Sequence, residues 1–335
     1  MKHSLKQDTE DRQIDTIVLM ESISSCEYFV LKNNETRPVL EDIGLIIKKG
    51  ETWGISGRSA YEMKLLLEIM ANIKPYNRGR CVLAERGMLR RKRYILRHVF
   101  YIGTSEMPYN NMNVLEFLML AMKKRNGNIV ELQHQLFEFI IGLGLGYLSL
   151  TLNKTLTREE RAVVTLIAAA HSDSIMIVFN FPEYEFDEVL IDAIQKISVF
   201  IKERGKSLIL CTKNSLLIEQ ACNHTAILAE GRIIYQGSVR DFCLSYDNIA
   251  VIIRDKNIEL LMDKLVHLLP DHKLSVKDEN LLISTINSDP NAPAYIYDKI
   301  SEAGIYPEYM EINPKKVCNA IEELLIRYDI QKQLL

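Results

Sequence analysis

A strand, a glycine turn and a helix in immediate succession constrain this 335-residue chain more than any other feature. The turn is Thr52-Trp53-Gly54-Ile55-Ser56-Gly57-Arg58-Ser59-Ala60-Tyr61. The apolar strand Thr52 to Ile55 feeds it, and Met63 to Met70 leaves it as a helix with a broad apolar face. This is the setting of a phosphate loop, G-x-x-x-x-G-K-[ST]. There backbone N–H groups cradle phosphate, the lysine reaches the β and γ oxygens and the hydroxyl holds Mg²⁺. Counted from Gly54, the chemistry is missing: Ser59 stands for the second glycine, Ala60 for the lysine and Tyr61 for the Ser or Thr. Alone, Gly54-x-x-Gly57 reads as an ordinary strand-to-helix turn, so the rest of the chain decides.

Strands and helices alternate around the turn. Ile17 to Ser22 and Leu40 to Ile47 read as strands on either side of a polar turn, Lys32 to Arg37. The strand Val99 to Ile102 enters Gly103-Thr104-Ser105, and helices follow over Val114 to Met122 and Ile129 to Leu143. Gly142-Leu143-Gly144-Leu145-Gly146 comes after a helix, not a strand, which excludes a dinucleotide fingerprint. Thr157 and Glu160 have the spacing of a capping box for the helix through Ala170. Ser174 to Phe181 is a continuous apolar strand, Glu188 to Arg204 a helix, and Ser207 to Cys211 another strand. This order predicts an α/β domain with a mainly parallel sheet. After Tyr246 the order β-α-β-β-α-β predicts a small ferredoxin-like appendage. The expected division is a polar tail, 1–16, an α/β domain, 17–245, with a helical insertion at about 105–170, and an α+β domain, 246–335.

Composition narrows the function classes. A net charge of -3 gives no electrostatic pull toward nucleic acid, so the basic run Arg86 to Arg97 reads as a solvated face. No apolar run approaches the ~20 residues that span a bilayer, and Met1 to Asp15 lacks the apolar core of a secretory signal. The six cysteines show no C-x-x-C pairing. The seven histidines have no partner at ligand spacing, so neither zinc nor another metal is expected.

The turn at Gly54, the loop at Thr104, the capped helix at Leu156, the buried strand ending Asn180-Phe181-Pro182 and the run Cys211-Thr212-Lys213 occur in a diagnostic order. Over roughly Ile17 to Phe242 this resembles the nucleotide-binding subunit of ATP-binding-cassette (ABC) transporters, which implies a P-loop NTPase-like core with a helical subdomain. The resemblance puts an adenine-stacking ring at Tyr28 or Phe29 and the Q-loop glutamine on Thr104. The signature L-S-G-G-Q falls on Leu156, Thr157, Arg158, Glu159 and Glu160, so both glycines are lost. The Walker B Asp and Glu fall on Asn180 and Phe181, the D-loop aspartate on Asp187 and the switch histidine on Lys213. Phe181 can neither accept a proton nor orient a water. Lys64, one turn beyond Ala60, is a candidate stand-in for the lost lysine.

What the resemblance implies is a degenerate cassette on a membrane permease at the cytoplasmic face of the plasma membrane, paired with an active ABC ATPase subunit. No catalytic residue and no resident metal are expected. Weak ATP binding stays open, without a Mg²⁺ requirement. The C-terminal extension resembles that of peptide-antibiotic and lantibiotic exporter subunits, which implies an export or resistance system. Two alternatives stand beside this reading: an active ATPase using Lys64, Asn180 and Glu183 or Glu185, and a soluble interaction module that has left transport.

Overall fold

The computed structural model describes residues 16–30, 36–84, 86–87, 97–107, 109–122, 128–246, 249–277, 279–285, 291–312 and 316–333. It divides into two units, Met1–Gly237 and Ser238–Leu335.

In the first unit β1 (Thr16–Ser25) is followed by β2 (Tyr28–Val30), which folds back on β3 (Thr36–Pro38). β4 (Ile43–Lys48) alternates buried Ile43, Leu45 and Ile47 with exposed Gly44, Ile46 and Lys48, as a strand with one face on a core does. β5 (Thr52–Gly57) is buried on both faces and passes through Arg58 and Ser59 into α1 (Ala60–Met70). β6 (Tyr76–Leu83) and β7 (Arg86–Gly87) complete an antiparallel sheet of order β4-β1-β6-β7.

β8 (Val99–Ile102) leads to three helices, α2 (Val114–Met122), α3 (Ile129–Gly142) and α4 (Arg158–His171). The chain returns through β9 (Met176–Asn180), α5 (Glu188–Glu203), β10 (Ser207–Cys211), α6 (Ser215–Ala221), β11 (His224–Ala229) and β12 (Arg232–Ser238). These strands form a second sheet, β12-β11-β5-β10-β9-β8, parallel from β11 to β8. Every residue of β9 and β10 is buried, because helices cover both faces of such a sheet. β10 lies between β5 and β9 and runs parallel to both, as the expected mainly parallel sheet requires.

The second unit contains α7 (Val239–Tyr246), β13 (Ile249–Arg254), α8 (Ile258–Leu268), β14 (His272–Lys277), β15 (Asn280–Thr285), α9 (Ala292–Glu302), β16 (Tyr309–Ile312) and α10 (Val317–Gln333). Its sheet, β14-β15-β13-β16, is antiparallel throughout. Val251, Ile253, Leu281 and Ile283 pack one face against Leu265, Ile296 and Ile300.

Several boundaries differ from expectation. The units part at 237/238 and not at 245/246, because α7 packs on α10 and goes with the second unit. The first strand already includes Thr16, and residues 1–15 of the expected tail lie outside the described residues. Arg37, assigned to a polar turn, lies in β3 opposite Phe29. Most of the basic run, 88–96, also lies outside the described residues.

Candidate functional site

Gly54 is not in the turn. It lies inside β5, paired with Leu210 and Thr225, and its carbonyl accepts the Thr225 hydroxyl at 2.8 Å. A Cβ there would meet Ile218 at 3.0 Å, so this glycine serves the packing of α6. The strand continues to Gly57, where a Cβ would lie 2.4 Å from the Leu228 carbonyl oxygen. Arg58 N–H donates to that same oxygen at 3.3 Å. Strand pairing therefore runs almost to the helix and only Arg58 and Ser59 are left for the turn. Counted from the strand end at Gly57 instead of from Gly54, the same spacing puts the second glycine, the lysine and the hydroxyl on Glu62, Met63 and Lys64 in place of Ser59, Ala60 and Tyr61. Neither register supplies the lysine or the Ser/Thr hydroxyl.

Ser59 caps α1, its hydroxyl accepting Glu62 N–H at 3.3 Å. Glu62 is 3% exposed. Its Oε1 accepts from Arg37 Nη2 at 3.3 Å, while Oε2 has no hydrogen-bond partner among the described residues. Arg37 also donates from Nη1 to the Glu230 carbonyl at 2.6 Å and lies 5.3 Å over the Phe29 ring. Met63 is buried in the core and Lys64 is exposed. Tyr61 reaches outward to Glu27, which also pairs with Lys74 at 2.8 Å. The bonds from Lys74 and Tyr61 hold the Glu27 carboxyl below its ordinary range. The bond to Glu27 raises the Tyr61 hydroxyl. Of the two candidate stacking rings, Tyr28 is exposed, whereas Phe29 packs against the core, 6.0 Å from Tyr61.

At the end of β9, Asn180 is buried. Its Nδ2 donates to the Lys64 carbonyl at 3.1 Å and to the Tyr101 hydroxyl at 3.0 Å, tying β9 to α1 and β8. Its Oδ1 has no hydrogen-bond partner among the described residues. Burial pushes the Tyr101 hydroxyl up to about 12. The Tyr101 ring folds back over Gly103, where a Cβ would meet it at 2.4 Å. Tyr101 was missed in the sequence, where it reads only as a strand residue.

Phe181 is buried, 4.8 Å from the Phe179 ring and 4.5 Å from that of Tyr184. Tyr184 donates to Ser105 Oγ at 2.9 Å, and the Arg158 guanidinium lies 4.8 Å over its ring. This one tyrosine thus joins the segment beside Thr104, the start of α4 and the end of β9. Arg158 also pairs with Glu159 at 2.6 Å, Thr157 and Glu160 close the capping box, and Leu156 is buried. Thr104 is exposed, its hydroxyl accepting Glu106 N–H at 3.1 Å. Asp187 caps α5, accepting Leu190 N–H at 2.8 Å. Lys213, Glu183 and Glu185 are exposed. Among the described residues no three His, Cys, Asp or Glu side chains gather as a metal set, and no helix is long and apolar enough to cross a membrane.

No protein-family model matches the chain. It is 23% identical over 210 residues to an uncharacterized ABC transporter ATP-binding protein of Methanocaldococcus jannaschii, covering 62% of this chain and 74% of that protein. It is 24% identical over 218 residues to the methionine import ATP-binding protein MetN of Geobacillus kaustophilus, covering 62% of each. Among solved structures, the ATP-binding subunit of an ABC transporter superposes with a TM-score of 0.55 at 18% identity, covering 68% of this chain and 92% of that one.

Proposed function

We propose that this chain, an ABC-type nucleotide-binding subunit by its fold and its likeness to ABC transporter ATP-binding proteins, is a non-hydrolysing or regulatory cassette. It docks on a membrane permease at the cytoplasmic face, beside a catalytically complete cassette subunit. The observation that carries this reading is Phe181. It follows directly on β9, where the resemblance requires the carboxylate that polarises the attacking water, and its ring is buried against Phe179 and Tyr184. A buried ring offers no base, and loss of a general base or of charge stabilisation in the transition state typically costs orders of magnitude in rate.

The neighbouring groups support the same reading. The Asn180 side chain is neutral, with its amide nitrogen held by the Lys64 carbonyl and Tyr101, and so lacks the carboxylate charge that holds a magnesium ion. Glu62 brings a negative charge to the first turn of α1, and neither loop register has a lysine at the lysine position. These residues do not fit a magnesium nucleotide, so any nucleotide affinity is weak and independent of Mg²⁺. Exposure of Glu183 and Glu185 leaves the unconventional ATPase without a base held at the end of β9. Two such chains together would hold two incomplete sites, which is why a complete partner is required for ATP-driven work. The assignment to an export or peptide-resistance system rests on the likeness of the C-terminal unit to exporter extensions.

Phosphate release by the purified chain, alone and with a candidate partner cassette, tests the proposal. Background rates alone and partner-dependent rates together are expected. Robust turnover by the isolated chain that Lys64→Ala abolishes would instead establish the unconventional enzyme.

A further inference from the structure

The first turn of α1 holds an unusual charge. A helix N-terminus presents unpaired N–H groups and a partial positive charge, which makes it a ready receptor for an external anion. Here the chain supplies the anion itself. Glu62 occupies the position at which the loop pattern, counted from the strand end at Gly57, requires glycine so that phosphate can approach the backbone. Its carboxylate is buried, one oxygen is bound by Arg37 and the other has no hydrogen-bond partner among the described residues. A carboxylate held out of water in this way needs a counterion, and Arg37 is placed to be one. Arg37 is fixed in turn by the Glu230 carbonyl and the Phe29 ring. The Arg37 guanidinium lies over the Phe29 ring, where a stacked base would meet it.

We propose that Glu62 is a resident anion that keeps the vestigial nucleotide site closed. Paired with Arg37 in the first turn of α1, it puts a negative charge where a phosphate would approach, so that an external polyphosphate must compete for Arg37 against a tethered carboxylate. The inference rests on the reading of the site as vestigial and names the residue that excludes ligand from it. Glu62 excludes by repelling a like charge and by engaging the Arg37 guanidinium.

The test is titration calorimetry of the full-length chain with inorganic pyrophosphate and with ATP, both without Mg²⁺. Glu62→Gln keeps the shape and removes the charge, and Glu62→Gly empties the position. Both are expected to bind pyrophosphate about tenfold more tightly than the wild type, or better. Adding Arg37→Gln to Glu62→Gln is expected to abolish the gain, because the freed guanidinium is the new ligand. Circular dichroism confirms that each variant is folded. Unchanged pyrophosphate affinity in a folded Glu62→Gln chain overturns the proposal, as does a gain that survives loss of Arg37. Phosphate release by the wild type would defeat the non-hydrolysing reading and leave this comparison of affinities standing on its own.

Discussion

Arg37 and Glu62 show how far one pair of side chains can redirect a site. The two partners are unequally buried, with side chains 26% and 4% exposed. Their removal should therefore be unequal in cost. Arg37→Met strands a buried carboxylate and is expected to lower stability by about 3 kcal/mol in urea unfolding. Glu62→Gln leaves Arg37 partly hydrated and bonded to the Glu230 carbonyl, and should cost about 1 kcal/mol. A second prediction concerns pH. The Glu27 carboxyl is held below its ordinary value by Lys74 and Tyr61. Its contribution is therefore complete above the ordinary carboxylate pKa and lost as pH falls through the lower folded value. Glu27→Gln should flatten the acid limb of a stability-against-pH curve measured by thermal melting. Phe181 and Asn180, where the resemblance implies a base and a carboxylate, were legible in the sequence because each is a matter of residue type. The partners were not. Asn180 meets Tyr101 across 79 positions, and Arg37 meets Glu62 from a strand only three residues long.

At the scale of elements, β5 explains why one glycine can be critical and another indifferent. Gly57 ends the strand hard against the Leu228 carbonyl, so Gly57→Ala should cost about 2 kcal/mol or more in denaturant unfolding. Gly142, in the last turn of α3, has open space around it, and Gly142→Ala should be neutral or gain up to about 1 kcal/mol. Phe181→Glu belongs to the same argument. It buries a carboxylate beside Phe179 and Tyr184 and is expected to destabilise β9 by several kcal/mol without restoring phosphate release. Long apolar strands such as β9 and β10 announce themselves by composition, and the Thr157 capping box by spacing. The end of β5 was misplaced because glycine reads as a turn signal, whereas Gly54 serves the packing of α6 on the sheet and Gly57 the close approach of β11. The β2–β3 hairpin escaped notice because three-residue strands carry almost no periodic signal.

The whole molecule divides into two units with separate cores. In the first, Trp53 is 4% exposed and stacks on His224 with ring centroids 5.0 Å apart. It is the single tryptophan of the chain, so its fluorescence reports on the first unit alone. In the second, Leu265 and Ile283 are completely buried between the antiparallel sheet and its helices. Each unit orders its own apolar surface, and a core truncation should therefore act where it is made. Ile283→Ala is expected to remove about 2 to 5 kcal/mol from the second unit. Followed in guanidinium chloride, the variant should unfold part of its far-ultraviolet circular dichroism at a lower midpoint while the Trp53 fluorescence transition stays where it is in the wild type. Met63→Ala, in the core beneath α1, should do the reverse and shift the fluorescence midpoint. Coincident movement of both probes in both variants would mean that the two cores unfold as one cooperative body.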